Sequence, residues 1–213
     1  MTDQFTLSAA TAPGYLRERG LLDADEGDAS ASTLGGGVSN RVVEVEAGGR
    51  SFVLKQPLPN LAVEDDWPAD VSRVHNEAAA TRAYADVIES AGLDDVRVPE
   101  IIAEDEDTHV VVFSRAPEGA VMWKRELLGG RVDPDVARSL GRLLGTVHRR
   151  ASEDDELRER FADPTPFDQL RVDPYHRTTA ERHPEVGDEI RAEAERVLAA
   201  DRTLVHGDYS PKN

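Results

Sequence analysis

The chain has 213 residues, 39% hydrophobic and 31% charged, which is enough for one large domain or two small ones with a buried core. Its net charge of −17 argues against nucleic-acid backbones and anionic membranes as partners, and no apolar run approaches the ~20 residues of a membrane-spanning helix. The absence of cysteine excludes disulfides, thiolate metal sites and cysteine nucleophiles.

The N-terminus, MTDQFTLSAA, has no basic region followed by an apolar core. It therefore predicts no secretory signal and a cytoplasmic protein. Lys55, Lys124 and Lys212 are the only lysines; the other 22 of the 25 basic residues are arginine. Acid excess with scarce lysine suggests an organism with a salty cytoplasm, where screening tolerates a highly charged surface.

In chain order, residues 13–22 read as a short helix and 23–30 as an acidic linker. Alternating Val43/Val45 and Phe52/Leu54 flank Ala47-Gly-Gly-Arg50, the pattern of a β-hairpin. A glycine-rich turn, Gly35-Gly36-Gly37, lies just upstream. Residues 60–69 are polar loop. From Asp70 to Ala91, Val71, Val74, Ala78, Ala85 and Ile88 fall on one helical face. Residues 98–104 and 108–114 predict two more strands around an acidic turn. The first half thus reads as a five-stranded antiparallel sheet with one inserted helix.

Residues 114–119 form a non-repetitive connector, and helices dominate after it. Asp133-Pro134 opens a helix as N-cap and first residue, with Val136, Leu140, Leu143, Leu144 and Val147 on its apolar face. Residues 152–162 and 185–201 predict two further helices. Four prolines between 163 and 184 predict mostly loop with short turns. The fold class is α+β, with segments 1–31, a β-rich lobe at 32–117 and a helical lobe at 118–213.

Four features carry candidate chemistry. In His206-Gly207-Asp208-x-x-x-x-Asn213, a short apolar strand delivers a Gly-Asp turn. A loop can bring that carboxylate and the amide oxygen to one site, the first to accept a hydroxyl proton, the second as a hard ligand for Mg²⁺. Lys55 ends a strand behind the glycine turn, where a compact ammonium can reach nucleotide phosphates. Glu77, 22 residues on, lies on the flank of its helix and can point toward Lys55. The turn Gly35 to Ser39 permits close backbone approach to phosphate, although it fits neither common glycine-loop pattern. The six histidines show no zinc-binding pairing, and no nucleophile elbow of the G-x-S-x-G kind is present. His148 reads as structural, and His206 as a brace for the loop.

Glycine turn, strand lysine, helix glutamate, connector, helical lobe and H-G-D-x-x-x-x-N follow the order of a protein-kinase-like phosphotransferase. The sequence resembles the aminoglycoside phosphotransferase family of small-molecule kinases, which has H-G-D-x-x-x-x-N where protein kinases have H-R-D-x-x-x-x-N. Leu140-Gly-Arg-Leu-Leu-Gly-Thr-Val-His148 likewise resembles the helix that often closes on Leu-His or Val-His there. The resemblance covers about residues 32–213.

It implies a two-lobe protein-kinase-like fold, ATP and Mg²⁺ as cofactors, and a hydroxyl on a small molecule as acceptor. Asp208 would be the catalytic base or orienting carboxylate and Asn213 a Mg²⁺ ligand. Lys55 would hold the α/β-phosphates and Glu77 would hold Lys55. Gly35, Gly36, Gly37 and Ser39 would cover the phosphates, and the connector at Ser114 and Ala116 would meet the adenine through backbone groups. Such roles supply the positioning and charge neutralisation that phosphoryl transfer needs.

Two departures stand out. The family carries a second metal-binding acid after the asparagine, beyond residue 213, so the sequence reads as an N-terminal part expected to transfer little by itself. Protein kinases often place lysine two residues after the base; here that residue is Ser210, and Lys212 comes two later. The alternatives are a non-catalytic nucleotide-binding or regulatory module of the same architecture, or an acidic interaction protein without a ligand.

Overall fold

The computed structural model describes residues 5–23, 28–35 and 37–212. They divide into two compact units, Met1–Ala83 with Val98–Ala116, and Tyr84–Arg97 with Pro117–Asn213.

The first unit is built on a five-stranded antiparallel sheet in the order β1-β2-β3-β5-β4. Its strands are β1 (Ser30–Thr33), β2 (Asn40–Ala47), β3 (Arg50–Pro57), β4 (Ile101–Asp105) and β5 (Val110–Ser114). Gly48 and Gly49 both adopt left-handed φ, 56° and 74°, and close the β2–β3 hairpin as a two-residue turn. Period-2 alternation splits the sheet into two apolar faces. Val43, Val45, Phe52, Leu54, Val110 and Val112 pack against the N-terminal segment and helix α1 (Ala12–Glu18), through Leu7, Tyr15 and Leu16. On the other face Val111 and Phe113 meet Val74 and Ala78 of helix α2 (Arg73–Ala91). Each fully buried Val or Leu contributes about 1.5–3 kcal/mol, so both layers are needed to hold so thin a sheet.

Polar pins fix the N-terminal layer. Gln56, buried at the end of β3, accepts from Leu7 N–H at 2.8 Å and donates to the carbonyls of Phe5 and Thr108, both at 3.0 Å. Asp105, also buried, accepts from Tyr15 Oη at 2.9 Å, from Thr108 Oγ1, and from Arg19.

The second unit is helical. Helix α3 (Trp123–Leu128) precedes α4 (Pro134–Glu153), whose N-cap Asp133 accepts from Asp135 N–H at 2.9 Å and whose Leu143, Val147 and Ala151 are buried on one face. Helix α5 (Asp155–Arg160) follows. The region expected to be mostly loop is helical instead. Helix α6 (Thr165–Phe167), a π-helical segment (Asp168–Arg177) and α7 (Thr178–Arg182) run on without a break. Pro166 lies in the first turn of α6, where a missing N–H costs no hydrogen bond. Pro174 lies inside the wider π turns, where the regular i−4 ladder is already interrupted. Helix α8 (Gly187–Leu198) packs on this run. Gly187 is required there, since a Cβ would come within 2.7 Å of the Ala180 carbonyl. No helix among the described residues is long and apolar enough to cross a membrane.

Candidate active site

In the first unit the site begins with strand β3. Phe52 and Leu54 point into the α1-side core, so Val53 and Lys55 emerge on the α2 side. Lys55 is registered against Val42 of β2 and Val111 of β5. Its Nζ lies 2.5 and 2.6 Å from the two carboxylate oxygens of Glu77, one turn into α2. The lysine side chain is only 21% exposed and the glutamate 44%, so the ammonium is held at the sheet surface by a carboxylate reaching in from its rim.

Helix α2 is itself anchored to the sheet. His75 meets Glu104 Oε1 through Nδ1 at 2.7 Å and His109 Nδ1 through Nε2 at 3.1 Å, and Arg82 pairs with Glu104 at 2.6 Å. These contacts sit next to Glu77 in sequence and fix the helix that carries it.

The glycine turn is secured at its C-terminal end by Arg73, the first residue of α2. Arg73 is buried, and burial pulls its guanidinium down from its ordinary pKa. It donates to the carbonyls of Ser39 at 2.6 Å and Leu58 at 2.9 Å. Ser39 Oγ accepts from Asn40 Nδ2 at 3.0 Å. A Cβ added at Gly35 or Gly37 would meet nothing within 4 Å, and neither residue has positive φ. These glycines are therefore not demanded by the turn's own conformation; they leave open space that a phosphate could use. Gly36 lies outside the described residues. Ser114 donates its N–H to the Glu100 carbonyl and accepts from Glu100 N–H through Oγ, both at 2.9 Å. Ala116 follows as an exposed residue.

In the second unit the H-G-D loop is braced residue by residue. Thr203 donates to the His148 carbonyl of α4 at 2.7 Å, and Tyr209 Oη donates to the Leu140 carbonyl of the same helix at 2.7 Å. His206 accepts from Asp208 N–H at 3.3 Å, and its ring lies edge-on to Tyr84 and Tyr209. Burial pushes the Tyr84 phenol up to about 12, so this ring stays neutral against the histidine. The Pro211 carbonyl accepts from Lys124 N–H of α3 at 2.9 Å. Gly207 takes a left-handed φ of 74°, and an added Cβ would lie 3.2 Å from the Phe167 ring.

Asp208 sits in this frame between two cations. Arg171, from the π-helical segment, donates through Nε to the Gly207 carbonyl at 2.8 Å and pairs with Asp208 Oδ2 at 2.9 Å. Lys212 approaches the same oxygen at 3.0 Å. Arg171 escaped sequence reasoning because it lies in a stretch that read as loop, among many other arginines. Asn213 lies outside the described residues.

A nucleotide phosphate fits what is present in the first unit: an oriented ammonium and an open glycine turn. Magnesium is different. Among the described residues no group of three histidine or acidic side chains could hold a metal ion.

The model of the phosphotransferase enzyme family matches residues 30–213. The chain is 25% identical over 144 residues to methylthioribose kinases of Bacillus cereus (strain G9842), Bacillus thuringiensis (strain Al Hakam) and Bacillus anthracis. That stretch covers 67% of this chain and 35% of each relative, so the chain spans about a third of the length of the curated relatives it matches. With a family match running from β1 to the end of the H-G-D loop, the chain belongs to the phosphotransferase enzyme family.

Proposed function

We propose that these residues form the nucleotide-binding and catalytic-loop part of an ATP-dependent kinase that phosphorylates a hydroxyl of a small molecule. The observation that carries the reading is the Lys55–Glu77 ion pair. It holds a lysine by both oxygens of one carboxylate, in a chain that otherwise uses arginine almost throughout.

Lys55 holds the α- and β-phosphates, and Glu77 holds Lys55 in place for them. Gly35 to Ser39 close over the phosphates, and backbone groups near Ser114 and Ala116 take the adenine. Asp208 orients the acceptor hydroxyl and accepts its proton as the oxygen bonds to the γ-phosphorus and the bond to the β-γ bridging oxygen breaks. Arg171 fixes the carboxylate and the preceding peptide group together, which limits the geometric error that a transfer reaction tolerates poorly. Magnesium would neutralise the phosphates when bound, with Asn213 among its ligands.

The test is ATP consumption by the full-length gene product over a panel of sugars (methylthioribose among them), amino alcohols, hydroxy acids and aminoglycosides. Turnover with at least one acceptor, abolished in Lys55→Met, is the expected result. A thermal shift with Mg-ATP but no turnover would leave the non-catalytic nucleotide-binding module in its place, and neither turnover nor a shift would leave the ligand-free interaction protein.

A further inference from the structure

Arg73 opens α2 with only 7% of its surface exposed, and its hydrogen bonds among the described residues all go to backbone carbonyls. One terminal nitrogen donates to Ala69 at 3.1 Å and Asp70 at 2.8 Å. The other donates to Ser39 at 2.6 Å and Leu58 at 2.9 Å. Each terminal nitrogen carries two hydrogens, so both are fully used, and the cost of burying the cation is offset by carbonyl dipoles. Those acceptors belong to three separate pieces of chain. Ser39 ends the glycine turn. Leu58 and Ala69 are the entry and exit of the polar loop between β3 and α2, which is held on itself by Ala69 N–H on the Pro59 carbonyl and Leu61 N–H on the Trp67 carbonyl, both at 3.0 Å. The same loop is stitched to the turn by Leu58 N–H on the Ser39 carbonyl at 2.9 Å and Ala62 N–H on the Val38 carbonyl at 2.8 Å. The third piece is α2 itself, which carries Glu77 about one helical turn beyond Arg73. Gly35 and Gly37 have no positive φ and face open space, so the turn is placed from outside rather than by its own conformation.

We infer that Arg73 is a positioning residue for the nucleotide phosphates. It locks the glycine turn, the 58–69 loop and the helical turn bearing Glu77 into one piece, so that the turn's backbone and the Lys55 ammonium meet the phosphates in register. Arg73 touches no phosphate; it acts through Ser39 on one side and through the helix that carries Glu77 on the other. A lysine would keep the charge, but its donors sit on a single nitrogen and cannot span acceptors on all three pieces. The role rests on the kinase reading above, whereas the lock itself stands on the hydrogen bonds.

The test titrates adenosine and Mg-ATP into the full-length gene product, read by backbone amide shifts and amide hydrogen exchange. Arg73→Gln is expected to weaken Mg-ATP at least tenfold and adenosine less than twofold, because the turn meets the phosphates and not the base. Arg73→Lys should stay at least fivefold weak for Mg-ATP. Asp105→Asn, which loosens the N-terminal layer instead, should leave both affinities within twofold of the parent and so separates a general loss of stability from a loss of position. In the parent, Mg-ATP should slow exchange of the Leu58 and Ala62 amides together, a reading that decides the matter even where an Arg73 variant folds poorly. Equal weakening of adenosine and Mg-ATP, parental Mg-ATP affinity in Arg73→Gln or Arg73→Lys, or no slowing at Leu58 and Ala62 would overturn the inference. The kinase reading survives any of these as long as the parent binds Mg-ATP and Lys55→Met does not. A parent that binds no Mg-ATP overturns both.

Discussion

Lys55 and Glu77, 22 residues apart, meet through both carboxylate oxygens at 2.5 and 2.6 Å. Glu77 is 44% exposed, so solvent screens the pair and its share of fold stability is small, at most about 1 kcal/mol. On the proposed kinase reading, its value lies in orienting the lysine. Glu77→Gln and Lys55→Met are therefore expected to lower kcat/KM of the full-length enzyme by about 10²-fold or more. Their melting temperatures should stay within a few degrees of the parent. A large loss of Tm with little loss of kcat/KM would make the pair structural.

Arg171 makes a different kind of contact, since one guanidinium grips a backbone carbonyl and the neighbouring carboxylate at once. A lysine can supply the charge but not the fork. Arg171→Ala is expected to reduce kcat by roughly 10–100-fold, the scale of a small displacement of a reacting group. Arg171→Lys should recover only part of it, with KM for ATP near the parent value in both. Steady-state kinetics with both substrates varied measures the split.

How far the sequence disclosed this arrangement depends on whether the information was local. The β2–β3 hairpin was readable because Gly48-Gly49 sits between alternating apolar strands, and the α4 start because Asp133-Pro134 is a cap written in two residues. The approach of Lys55 and Glu77 was readable from a strand ending and a helix flank. Arg171 and Arg73 were not, because each acts on a backbone carbonyl 34 or more residues away, and nothing near either residue in the sequence marks that target. The helical run 165–182 was hidden by prolines whose cost is absorbed by a first turn and a π-helical segment. Helix α3 is too short to show a period.

Gly207 is constrained twice, by its left-handed φ of 74° and by the Phe167 ring 3.2 Å from where a Cβ would stand. Gly207→Ala is expected to destabilise by about 1–2 kcal/mol from the backbone alone. At the size of this chain that is a Tm loss of several degrees, about 2–4 °C per kcal/mol. Asp208 would shift with it, so kcat should fall as well. Adding Phe167→Leu should restore the part of the Tm loss due to the ring and none of the part due to φ. Full restoration by the double variant would show that the backbone conformation is not under strain.

Asp105 links acidity to the stability of the N-terminal layer. Desolvation raises its carboxyl pKa, but hydrogen bonds from Thr108, Tyr15 and the Asp107 N–H, with the charge of Arg19, outweigh it and hold the group below its ordinary value of 3.8. A carboxyl whose folded pKa is depressed contributes stability that is present above the ordinary value and is lost as pH falls through the folded one. The parent should therefore lose stability below about pH 3.8. Asp105→Asn cannot titrate and loses the charge-assisted bonds at every pH. It is expected to be less stable than the parent by about 2–3 kcal/mol at pH 7, the scale of hydrogen bonds to a buried charge. That difference should shrink as the pH drops below 3.8, because the unfolded parent then takes up a proton that the folded carboxyl does not. Denaturant unfolding of both proteins between pH 7 and pH 3 measures the gap, and a gap that stays constant to pH 3 would mean that the folded carboxyl titrates no lower than the unfolded one and that Asp105 contributes by shape alone.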